Sequence, residues 1–86
     1  MTAAQEIGQF IEKALRRQGI EVELREEYPL IDNNLIDSLT LMELITFLEQ
    51  SFSIVVDPIE IVPENFATLQ AIAALVTRRQ ASQSSF

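Results

Sequence analysis

Residues 34–52 read NLIDSLTLMELITFLEQSF, and the spacing of their apolar side chains decides the fold. Leu41, Leu44, Ile45, Leu48 and Phe52 recur at three- and four-residue steps, which lines them along one face of an α-helix. The spacing predicts a helix from about Ser38 to Phe52 with that face against a core. Burying each such side chain contributes roughly 1.5–3 kcal/mol, far more than helix propensity supplies. The first turn is polar. Asp37 is a good N-cap, and Thr40 with Glu43 also matches a capping box, so two capping arrangements are open.

Outward from this helix, the same periodicity appears at both ends of the chain. Ile7, Phe10, Ile11, Ala14 and Leu15 form one apolar face, and Arg16, Arg17 and Gly19 supply a dipole-matched, glycine-terminated end. Near the C-terminus, Leu69, Ile72, Ala73 and Val76 predict a helix from about Thr68 that Arg78 and Arg79 close. Asp57-Pro58 and Pro63-Glu64 both signal a helix start, and one short helix fits there. Residues 20–36 alternate briefly at Ile20, Val22 and Leu24, but no partner strand exists elsewhere and a lone strand cannot satisfy its edges. They read as a long ordered loop pinned by Leu24, Tyr28, Leu30 and Ile31, and loops of this length in a small domain are usually functional. The expected fold is all-α: a four-helix bundle of three main helices and one short one. A single domain spans residues 1–79, followed by a flexible polar tail over residues 80–86.

The chain has 86 residues, 48% of them hydrophobic, enough for one modest core. It has no cysteine and no histidine, which removes disulfides, thiolate zinc sites and the commonest general base. The net charge is −7. From Gly19 to Phe66 there are eleven acidic residues and one basic residue, Arg25; Lys13, Arg16, Arg17, Arg78 and Arg79 lie outside. Such a middle repels phosphate backbones, so nucleic acid is excluded as a partner. It would steer basic protein surfaces toward it, unless it is simply a solvated face. With no stretch long enough to span a bilayer and no signal-like N-terminus, the chain is expected to be a cytoplasmic, soluble monomer with no membrane insertion.

Ser38 raises the chemical question. As a nucleophile it would need a base and an orienting group, and neither histidine nor a G-x-S-x-G elbow is present. Calcium is the next candidate, because Asp32, Asn34 and Glu43 fall at positions 1, 3 and 12 of an EF-hand loop. Ile36 then stands where an oxygen ligand is required and Asp37 where glycine makes the turn, so no metal is expected. Leu39 and Met42 lie at the edge of the apolar stripe, beside Glu43 and Glu49. They are either the margin of a wide core face or an exposed docking pair, and the pattern does not decide between these.

The D-S-L of Asp37, Ser38 and Leu39 at the mouth of an acidic amphipathic helix resembles the acyl and peptidyl carrier proteins. The likeness runs from about Leu30 to Val76, through LIDSLTLMELITFLEQSF and IVPENFATLQAIAALV. It implies a non-catalytic carrier whose Ser38 is esterified by a 4′-phosphopantetheine arm from coenzyme A, holding cargo as a thioester. It also implies recognition through Asp37, Leu39, Met42, Glu43, Thr46 and Glu49, with Gln50 nearby. The implied partners are a phosphopantetheinyl transferase, an acyl- or aminoacyl-activating ligase and downstream acyl-transfer enzymes. Asp37 would cap the helix and help position magnesium-bound coenzyme A in the transferase. Fatty-acid carriers usually have glycine shortly before D-S-L, whereas Leu35-Ile36 stands here. That form looks more like stand-alone carriers of D-alanine, amino acids or specialised acyl groups. A housekeeping fatty-acid carrier and an unmodified acidic interaction module are the alternatives.

Overall fold

The computed structural model describes residues 2–83. Its elements are α1 (Ala3–Arg17), α2 (Ser38–Phe52), a 3-10 turn (Pro58–Glu60), α3 (Pro63–Phe66) and α4 (Leu69–Gln83). No strand occurs among the described residues, so the fold is an all-α bundle with a long connection between α1 and α2.

α1 starts at a reciprocal capping box. The Thr2 hydroxyl accepts from the Gln5 amide at 3.1 Å, and the Gln5 side chain accepts from the Thr2 amide at 3.0 Å. Its other end is a Schellman motif: the Gly19 amide donates to the Arg16 carbonyl (3.0 Å) and the Ile20 amide to that of Leu15 (2.9 Å). Gly19 takes φ +82, which a side chain would strain. Gly8, inside the same helix, answers a different need. A Cβ there would come within 3.0 Å of Leu69 Cδ1, so glycine lets α1 approach the start of α4.

Ile7, Ile11 and Leu15 of α1 are fully buried with Leu44 and Leu48 of α2 and Ile72, Leu75 and Val76 of α4. Phe66 closes the core from α3, and Leu30 enters it from the connection. That connection is held to the bundle at several points. Glu12 Oε2 accepts from the Leu24 amide at 2.8 Å, the Leu30 amide donates to the Ala67 carbonyl at 2.8 Å, and the Gln70 amide donates to that of Glu26 at 3.1 Å. Tyr28 is half-buried against the core, with its amide bonded to the Arg25 carbonyl at 3.1 Å.

Two expectations change in detail. The segment after α2 holds two short pieces rather than one helix, because each start signal is used. Asp57 caps the 3-10 turn, and Pro63 opens α3 after forcing Val62 into extended backbone (φ −128, ψ 153). Further on, α4 does not close at Arg78 and Arg79 but runs to Gln83. Gln80, Ala81, Ser82 and Gln83 include no glycine or proline to stop it. Part of the expected tail is therefore helix, and residues 84–86 lie outside the described residues. No helix is long and apolar enough to cross a membrane among the described residues.

Candidate functional site

Asp37 and Ser38 occupy the boundary between connection and helix. Asp37 has extended backbone (φ −91, ψ −179), and its Oδ1 accepts from the Thr40 amide at 2.7 Å. Of the two capping arrangements, this is the one adopted. Thr40 itself is buried inside the first turn, and its hydroxyl accepts from Gln18 Nε2 at 3.3 Å. The start of α2 is thereby fastened to the end of α1.

The Thr40 amide, and after it the Thr40 hydroxyl, holds the exposed Asp37 carboxyl below its ordinary pKa. A carboxylate whose pKa is lower folded than unfolded stabilises the fold above the unfolded value, and the effect is lost as pH falls through the folded one. As pH falls below about 4, the wild-type melting temperature should therefore drop more steeply than that of Asp37→Asn, which keeps a cap without the charge. Parallel curves would show that the carboxylate charge contributes nothing.

Ser38 follows as the first helical residue. It is exposed, and its hydroxyl has no hydrogen-bond partner among the described residues. Around it, Leu39 and Met42 are each 68% exposed, which decides against the core-stripe reading. Thr46 is exposed and its hydroxyl donates back to the Met42 carbonyl at 3.1 Å. Glu43 is half-buried, and Gln50 is exposed. Glu49 is engaged differently from the others: its Oε2 accepts from the Val56 amide at 3.0 Å, anchoring the segment that leaves α2. Among the recognition residues that the resemblance implies, Glu49 thus also holds backbone seven residues ahead, a bond for which periodicity carries no signal.

An apolar cleft of about 280 Å³ opens beside the first turn, between Ile31 and Ile36 of the connection, Leu41 of α2, and Ile61, Val62, Pro63 and Phe66. Ile36 and Leu41 lie two and three residues from Ser38 in the chain. Among the described residues no group of three or more histidine, cysteine, aspartate or glutamate side chains that could hold a metal ion forms. Asn34 instead takes φ 54 in a turn closed by its amide on the Ile31 carbonyl at 2.9 Å, a conformation asparagine tolerates well.

The arrangement offers an unshielded hydroxyl at the positive end of a 15-residue helix, with apolar side chains beside it and no bonded base. It suits a hydroxyl that another protein's catalytic groups act upon. No family model matches the chain. Among curated proteins, the probable acyl carrier protein PigG of Serratia sp. (strain ATCC 39006) is 40% identical over 58 residues, 67% of this chain and 67% of that protein. The chain belongs to the acyl carrier protein family.

Proposed function

We propose that this protein is a non-catalytic carrier whose Ser38 bears a 4′-phosphopantetheine arm. The observation that carries the reading is the exposed, unbonded Ser38 hydroxyl in the first turn of α2. In the modification, Ser38 Oγ forms a bond to the pantetheine-side phosphorus of coenzyme A and the pyrophosphate P–O bond breaks. Adenosine 3′,5′-bisphosphate leaves, and the hydroxyl proton passes to a base of the transferase. This chain supplies the rest. The Asp37 cap fixes where Ser38 stands, and the free amides and dipole of the α2 N-terminus favour the resulting phosphodiester anion. Once attached, the arm supplies a thiol for thioester chemistry that a chain without cysteine lacks.

Leu39 and Met42 form the apolar centre of partner docking, with Thr46 and Glu43 beside them, and the acidic middle draws basic partner surfaces. The partners are a phosphopantetheinyl transferase, an activating ligase and downstream acyl-transfer enzymes, all in the cytoplasm. The Leu35-Ile36 that precedes D-S-L favours a specialised acyl or aminoacyl cargo over housekeeping fatty-acid synthesis.

Incubation with coenzyme A, magnesium and a broad-specificity phosphopantetheinyl transferase should add one arm to the intact mass. A wild-type chain that stays unmodified would overturn the reading. Glu43→Lys should slow transfer most at low ionic strength, because rim charges act chiefly on encounter. A loss of rate that salt does not change would show instead that the substitution disturbs the fold.

A further inference from the structure

The segment leaving α2, residues 53–62, exposes large aliphatic side chains: Val55 is 64% and Ile59 81% exposed. Bare aliphatic surface gains nothing from folding. The segment is nevertheless held tightly. It starts at Ser53 in left-handed backbone (φ 55, ψ 47), and the Val56 amide is tied to Glu49. The Asp57 amide donates to Glu60 Oε1 at 3.1 Å, the Ile59 amide to Asp57 Oδ1 at 3.0 Å, and Asn65 Nδ2 to the Glu60 carbonyl at 2.8 Å.

One restraint reaches in from α4. Arg79 Nε donates to the Val55 carbonyl at 3.1 Å and lies 3.4 Å from Glu60 Oε1. The two side chains of this ion pair are only 24% and 20% exposed, so solvent screens it incompletely. Next to it, Arg78 donates to Asn65 Oδ1 at 3.3 Å, supporting the residue that holds the Glu60 carbonyl. A helix at the far end of the chain thus fixes both sides of the 3-10 turn that displays Ile59.

We infer that Arg79 is a positioning residue for partner recognition: it presents Val55 and Ile59 as a preformed apolar contact for the enzyme that modifies Ser38. The inference builds on the carrier reading. Two features point to that enzyme as the occupant. The segment that displays Val55 and Ile59 ends in Ile61 and Val62, which line the apolar cleft with Ile36 and Leu41, so an enzyme reaching Ser38 comes up against that end. From Glu26 to Thr77 there is also no basic residue, Arg79 and Arg78 of α4 are engaged by Glu60 and Asn65, and Asp57 and Glu64 are exposed. The complementary surface is an apolar pocket rimmed by lysine and arginine. Fixing the segment beforehand removes an ordering cost from binding.

The test is transfer kinetics on the full chain, with the carrier as varied substrate, for wild type, Arg79→Gln, Ile59→Ala and the double variant. Ile59→Ala and Arg79→Gln should each raise KM about five- to tenfold with kcat within about twofold. The double variant should fall well short of the product of the two single effects, because Arg79 acts in part through Ile59. Arg79→Lys should recover part of the loss, and Arg79→Gln should speed amide exchange at Val56. An unchanged KM, effects that multiply in the double variant, or unchanged exchange at Val56 would overturn the inference while wild-type modification leaves the carrier reading standing. A wild type that accepts no arm overturns both.

Discussion

Replacing Ser38 by alanine should abolish attachment of the phosphopantetheine arm altogether and leave the fold intact. The two outcomes separate because the Ser38 hydroxyl has no structural duty. Asp37 caps the helix, Thr40 makes the buried hydrogen bond to Gln18, and Ser38 lies exposed between them. Alanine is the best helix former, and a surface substitution of this kind changes stability by no more than about 0.5 kcal/mol. Intact mass after treatment with coenzyme A and transferase reads the first outcome, and thermal melting reads the second. Other hydroxyls offer a built-in control. Thr46, Ser51 and Ser53 are exposed on or just after the same helix, yet none stands in its first turn. If the Ser38→Ala chain still gains an arm, another hydroxyl is the acceptor and the assignment is wrong.

Leu48→Ala is expected to have the largest effect on stability. Leu48 is fully buried on the face of α2 that meets the core, so truncation loses its burial and leaves a cavity. Such substitutions cost about 2–5 kcal/mol, against about 5–15 kcal/mol for an entire domain. For a chain of this size the melting temperature should fall by about 8 °C or more. Met42→Ala, on the same helix but 68% exposed, should cost no more than about 0.5 kcal/mol. Equal losses from the two substitutions would mean that the core and solvent faces of α2 are misplaced.

These contrasts mark how far the sequence could be read. The bounds of α2 and the Asp37 cap were legible because an apolar period of three and four residues and a capping residue agree at one place. The pins of the connection were legible too: of the large side chains expected to hold it, Leu30 is buried and Leu24, Tyr28 and Ile31 are half-buried. Leu39 and Met42 were not decidable, because a helical wheel gives the angle of a side chain but not the width of the surface packed against it. The 3-10 turn was missed because three residues are too few to show a period. The run of α4 to Gln83 was missed because its last turn has neither an apolar face nor a breaker. The bonds of Glu49 and Arg79 to backbone elsewhere exist only once the chain is folded. The capping box of Thr2 and Gln5, by contrast, was spelled in residues 2–5 and needed only a T-x-x-Q reading.

The chain holds no tryptophan and only Tyr28 as tyrosine, so its near-ultraviolet emission comes almost wholly from one ring. That ring belongs to the linker between α1 and α2, not to a helix. Fluorescence therefore tracks undocking of the linker, whereas circular dichroism tracks loss of the helices. Coincident midpoints would mark a single cooperative transition, and an earlier optical midpoint would show the linker peeling away first.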